Sequence, residues 1–126
     1  MNAPNTPENI VQRQLDAYNA RDVDALLETY ADDAQQFEFP ATLWCVGAAQ
    51  LRERMAARLS DPLLNARLIH RITLGHTVID HEEVTRTFPE GPGKIELVAI
   101  YEVRDGKIAT ARFISGKINP LHHHED

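Results

Sequence analysis

The chain has 126 residues, 43% hydrophobic and 25% charged, with a formal net charge of −6. That length predicts one domain with a core of its own. The negative balance argues against a nucleic-acid or anionic-membrane partner, which needs a basic face. The single cysteine, Cys45, excludes an intrachain disulfide framework and reads as a small buried thiol.

The opening MNAPNTPENI has no basic or apolar targeting pattern, and no apolar run reaches the ~20 residues of a membrane span. The expected compartment is the cytoplasm. Thr6 before Pro7 and Glu8 is an N-cap signal. Ile10, Val11, Leu15 and Tyr18 then follow a helical period, which predicts a helix to about Ala20. Asp22 caps a second, short helix whose buried face is Val23, Leu26, Leu27 and Tyr30, ended by Ala31-Asp32-Asp33.

Gln35 to Phe39 alternates polar and aromatic residues before Pro40, which reads as a short edge strand. Ala41–Val46 is an apolar loop or second short strand carrying Trp44. After Gly47, Leu51, Met55 and Leu59 mark a third helix, stopped by Ser60-Asp61-Pro62. From Asn65 the period becomes two. Ala66, Leu68, His70, Ile72 and Leu74 are expected on one face, Arg67, Ile69, Arg71 and Thr73 on the other. Strands His76–Phe88, Lys94–Arg104 and Lys107–Ser115 complete a meander, with a hairpin turn at Asp105-Gly106. The fold class is α+β, with helices segregated from an antiparallel sheet.

No phosphate loop, dinucleotide fingerprint, zinc-protease motif or nucleophile elbow is present. The densest ionisable cluster is Asp80-His81-Glu82-Glu83. Alternation puts Asp80 and Glu82 on one face with Val78, Val84 and Arg86, and His81 and Glu83 on the other with Ile79. Either face supplies an acid–base pair, and alternation leaves open which one turns inward. The rival reading is a solvated strand surface with cross-strand ion pairs.

The next strand is clearer. Ile95, Leu97, Ala99, Tyr101 and Val103 form one apolar face, so Tyr101 points inward, either as a donor to a ligand oxygen or as a satisfied core tyrosine. Glu38, between Phe37 and Phe39, is a general-base candidate if it faces in; the alternative is both rings inward and Glu38 out. His70, His76 and His81 match no metal-ligand spacing, and the His122-His123-His124 run lacks a supporting shell, so no metal is expected.

Several strings carry a family resemblance: Tyr18-Asn19-Ala20-Arg21-Asp22-Val23-Asp24, Tyr30-Ala31-Asp32-Asp33-Ala34, Ala99-Ile100-Tyr101-Glu102-Val103 and Asp105-Gly106-Lys107-Ile108. With the element order, they make the chain resemble the nuclear-transport-factor-2-like superfamily, in its SnoaL-like and steroid-Δ-isomerase-like branch, over roughly residues 8–116. The resemblance implies a cone: a curved sheet wrapped around three helices, with a cavity at the open end. It also implies a homodimer pairing through the outer sheet face.

In ketosteroid isomerases of this fold an Asp base works with a Tyr and a protonated Asp that form an oxyanion hole. The resemblance puts Gln14 where the helix-1 tyrosine stands, the base on or beside Glu38, and the second acid on or near Tyr101. Cyclases and dehydratases of the fold use Asp/His combinations, a part for Asp80 or His81.

The expected function is proton transfer, without a cofactor, on a small apolar carbonyl compound: isomerisation, cyclisation or dehydration. Glu38, Asp80, His81 and Tyr101 are the catalytic candidates. Gln14, Tyr18, Tyr30, Trp44, Met55 and Phe113 are the expected ligand contacts. The alternative is a non-catalytic binding or dimerisation module.

Overall fold

Helix α1 (Pro7–Ala20) starts where the sequence demands it. The Thr6 hydroxyl accepts from the Asn9 amide at 3.3 Å, and Pro7 occupies the first turn, where its missing N–H costs nothing. The computed structural model describes residues 5–121; Met1–Pro4 and the histidines 122–124 lie outside them. Among the described residues no helix is long and apolar enough to cross a membrane. Ile10, Val11, Gln14, Leu15 and Ala17 form the buried face of α1.

The string after Tyr18 proves to be scaffolding. The Asn19 amide donates to the Ala66 carbonyl at 2.9 Å and accepts from its N–H at 2.7 Å, so it stands in for a strand along the sheet edge. Arg21 ends the helix in the left-handed region at φ 58°. Its guanidinium donates to the carbonyls of Asp61, Pro62 and Leu64. Asp22 caps α2 (Val23–Glu28) by accepting from the Ala25 amide at 3.0 Å.

Tyr30 does not extend the face of α2 as expected. The helix ends at Glu28, and Tyr30 opens strand β1 (Tyr30–Glu38), longer than the expected Gln35–Phe39. The reason is tertiary: the Ile108 amide donates to the Thr29 carbonyl at 2.8 Å, and β1 runs parallel to the last strand from there. Strand β2 (Thr42–Val46) returns antiparallel to β1, and helix α3 (Ala48–Leu59) buries Leu51, Met55 and Leu59.

Strands β3 (Asn65–Leu74), β4 (Thr77–Phe88), β5 (Gly91–Arg104) and β6 (Lys107–Pro120) form the meander. The sheet order is β2-β1-β6-β5-β4-β3, mixed because β1 and β6 are parallel. Register shifts interrupt most of the ladders, and such bulges bend strands and increase twist. The result is an α+β fold in which three helices sit in the concavity of a curved sheet.

Two strands outrun their sequence patterns. β5 begins at Gly91 rather than Lys94, leaving only Pro89-Glu90 as the turn. β6 continues past Ser115 to Pro120 through a bulge opposite Glu96. There a Cβ on Gly116 would lie 2.9 Å from the Glu96 carbonyl oxygen, so only glycine fits.

The strict alternation expected in β3 also fails. Leu68 pairs with Glu82 but His70 pairs with His81, so Ile69 is an extra residue. Beyond this bulge the faces exchange. His70 and Ile72 face out, and Arg71 turns inward opposite Asp80. Its guanidinium meets both carboxylate oxygens, Nε to Oδ1 at 2.6 Å and Nη2 to Oδ2 at 2.9 Å, and also donates to Gln12 of α1 at 2.8 Å. The Asp80 side chain has no exposed surface.

Replacing Arg71 by Met strands that carboxylate. Urea unfolding of Arg71→Met is expected to show a loss of about 3–5 kcal/mol. Arg71→Leu with Asp80→Leu is expected to lose much less, because no buried charge is left alone.

Candidate functional site

Alternation along β4 decides the centre of the molecule. Val78, Asp80, Glu82 and Val84 are all buried, so the even-numbered face turns inward. Glu82 on this face, Tyr101 on β5 and Phe113 on β6 line one side of a cavity of about 100 Å³. Helices α1 and α3 close it with Gln14, Tyr18 and Met55, while Tyr30 and Gln36 enter from β1.

Glu82 is 5% exposed, and its Oε2 has no hydrogen-bond partner. Burial pushes its carboxyl up to about 8, helped by the neighbouring Asp80 charge and opposed by Arg71. A carboxyl so raised holds its proton at neutral pH and is matched to acid–base work there. Among the described residues Gln14 Oε1 is the other buried side-chain polar atom at the cavity without a partner.

The Tyr30 hydroxyl accepts from Gln36 Nε2 at 3.2 Å, which leaves its own proton to donate. Gln36 is held in turn by Arg54, whose Nε donates to Oε1 at 2.9 Å, and by the Cys45 thiol at 3.7 Å. Burial raises the phenols of Tyr18, Tyr30 and Tyr101, so each stays a neutral donor. The Tyr101 side chain makes no hydrogen bond among the described residues, and its ring meets Phe113 edge-on at 6.3 Å. Phe113 stacks on Trp44 at 5.5 Å, and Trp44 is 37% exposed at the solvent side.

The structure gathers part of the expected set. Gln14, Tyr18, Tyr30, Trp44, Met55 and Phe113 all line the cavity, and so does Tyr101. The other catalytic candidates do not. Asp80 is buried beside Glu82 but engaged with Arg71. His81 faces outward, its Nε2 2.6 Å from Glu96 Oε2. Glu38 is exposed at the end of β1, beyond a bulge that follows Gln36. Among the described residues no group of three His, Cys, Asp or Glu gathers as a metal site.

Glu82 stands outside the set of catalytic candidates drawn from the sequence. The signal for it was its place between Val78 and Val84 on one face, where an apolar flank on each side marks burial.

The sequence pattern of the SnoaL-like domain matches residues 11–111. The chain belongs to that family. No curated protein matches it.

Solved structures agree on the fold of this SnoaL-like protein. An uncharacterised cystatin-fold protein from Novosphingobium aromaticivorans is 24% identical, with 86% of this chain and 97% of that one covered and a TM-score of 0.80. SalBIII, an epoxide hydrolase/cyclase-like enzyme in pyran ring formation of the polyether salinomycin, is 22% identical, covers 91% and 95%, and superposes at 0.82. An LEH-like epoxide hydrolase of M. tuberculosis is 14% identical, covers 88% and 83%, and superposes at 0.76. At these identities the likeness speaks for the architecture.

The raised carboxyl ties stability to pH. Folded, Glu82 keeps its proton up to about pH 8; unfolded, it loses it near 4.5. Across that window the unfolded state binds fewer protons, so stability falls as pH rises. The loss approaches about 1.4 kcal/mol per pH unit. Urea unfolding at several pH values should show this slope in the natural chain and a flatter profile in Glu82→Gln. Asp80→Asn should lower the pH at which Glu82 titrates, followed by carbon-13 NMR of its carboxyl, because it removes a repelling charge and leaves Arg71.

Proposed function

We propose that this SnoaL-like protein is a cofactor-independent enzyme that moves a proton on a small carbonyl compound, with Glu82 as the acid–base residue. The observation that carries this reading is a buried carboxyl with an unpartnered oxygen, facing a cavity lined by neutral phenols and amides. Family membership and the similarity to an epoxide hydrolase/cyclase-like enzyme and to an epoxide hydrolase support it.

At neutral pH Glu82 acts first as general acid. It protonates an oxygen of the bound molecule, a carbonyl or a departing hydroxyl, and its carboxylate then takes a proton back. Tyr101 donates a hydrogen bond to the oxygen on which negative charge develops. Gln14 cannot act as an acidic phenol; its amide orients the substrate. This division of labour fits isomerisation, dehydration or ring closure.

The alternative is a binding module without turnover, and Gln14 in place of a helix-1 tyrosine is the feature that favours it. The expected pairing of two copies also enters as a proposal. Its support is a row of neighbours across the outer sheet face, Ile72, Ile79, Ile100, Arg112, Phe37 and Leu43, with Ile72 52% and Leu43 49% exposed.

A panel of enones and hydroxy-ketones tests the chemistry. Turnover is expected to fall through about pH 8 as Glu82 ionises. Glu82→Gln is expected to lose on the order of 100-fold or more in kcat, and Tyr101→Phe on the order of 10–100-fold. A ligand that raises Tm in both the natural chain and Glu82→Gln, with turnover in neither, would establish the binding module instead. Light scattering checks the pairing: Ile72→Asp should halve the mass of the natural chain, and a monomeric natural chain overturns it.

A further inference from the structure

Three arginines converge on the solvent side of the cavity. Arg54 and Arg58 stand four residues apart on α3, hence on one helical face, and Arg86 extends the inward face of β4 beyond Glu82 and Val84. All three line the cavity and the shallower groove beside it, and all are half-buried. Among the described residues Arg52, Arg67, Arg71 and Arg104 each pair with a carboxylate; Arg54, Arg58 and Arg86 do not, and neither do Arg13, Arg21 and Arg112, which lie outside the cavity.

Their contacts are with neutral groups. Arg54 donates to Gln36 and lies 4.4 Å over the Trp44 ring. Arg58 donates to the Tyr18 oxygen. Arg86 lies 4.0 Å over Phe88 and donates to the Thr87 carbonyl at 3.3 Å. These contacts aim the guanidinium groups without neutralising them.

Among the described residues no acid makes a direct ion pair with these guanidinium groups, although the charge of Asp61 acts on Arg86 from a distance. Asp61 accepts from the Thr87 amide and hydroxyl and from the Leu63 amide. Glu53 is exposed on the groove side, and Glu82 is protonated at neutral pH. Burial, and then the charge of Arg58, lowers both Arg54 and Arg86 below the ordinary value. Like charges gathered at one half-buried mouth destabilise a fold, and this one occurs in a chain of net charge −6. An anion supplied from outside resolves the conflict, and arginine forks are suited to planar or tetrahedral oxyanions.

We propose that the ligand carries a carboxylate or phosphate ester, held at the mouth by Arg54, Arg58 and Arg86, with its apolar body against the stacked rings of Trp44 and Phe113. This rests on reading the cavity as the reaction site, and it narrows the substrate from a neutral carbonyl compound to an anionic one. Anchoring the anion at the solvent side directs the other end of the molecule to Glu82 and Tyr101.

Benzoate, phenyl phosphate and the neutral isostere benzamide, titrated against the full chain by calorimetry and thermal shift, provide the test. At least one anion is expected to bind and raise Tm while benzamide does not; the tighter of the two identifies the group. Affinity should fall roughly tenfold or more between about 50 mM and about 500 mM salt. Arg58→Met with Arg86→Met should abolish the anion shift while keeping or raising the unliganded Tm, since repulsion is relieved. If circular dichroism shows that pair unfolded, Arg86→Gln alone makes the comparison and should weaken anion binding about tenfold.

Equal binding of benzoate and benzamide, no binding of either anion, or undiminished anion binding by the arginine variant overturns the proposal. Glu82→Gln separates the two readings, because it should keep anion binding. Anion binding with turnover unaffected by Glu82→Gln counts against the acid role alone. Glu82-dependent turnover of neutral compounds without anion preference counts against the oxyanion site alone.

Discussion

The pairing of Arg71 with Asp80 is the contact on which the interior depends. Asp80 is fully buried on the inward face of β4, a position that a lone carboxylate could not occupy as an ion. The bulge after Leu68 brings Arg71 around to meet it with two hydrogen bonds, and Gln12 ties the same guanidinium to α1. One extra residue in one strand thus permits a charged row inside the cone. Glu82 follows on that row. Its raised carboxyl is a consequence of where the row lies, of the Asp80 charge beside it and of its own lack of a partner.

The two ends of the cavity divide their chemistry. The inner end holds Glu82, Tyr101, Tyr30 and Gln14; the amide and the phenols are neutral near pH 7 in any case, and burial makes Glu82 neutral there too. The outer end holds three cations and two stacked rings. Neutral polar groups thus lie at the inner end and positive charge at the outer end.

The family string between Tyr18 and Asp24 marks the fold rather than the chemistry. Asn19 seals the edge of β3, Arg21 ties down the loop before it, and Asp22 caps α2. These residues build the frame and leave the chemistry to others, which is why the string marks a fold shared by many activities.

Local signals in the chain determined the start of α1 at Thr6, the α2 cap at Asp22, the run of α3 and the hairpin at Asp105-Gly106, since each rests on contacts a few residues apart. The inward face of β5 with Tyr101 was equally legible, because its apolar alternation is unbroken. Tertiary structure decided what depends on distant partners. Tyr30 joined a strand because β6 lies alongside it, Arg71 turned inward because of a bulge, and Glu38 and His81 were left outside. Alternation offered two faces of β4 with ionisable groups on both; only the helices packed into the concave side selected the face of Glu82, and burial there turned an ordinary carboxylate into the candidate acid.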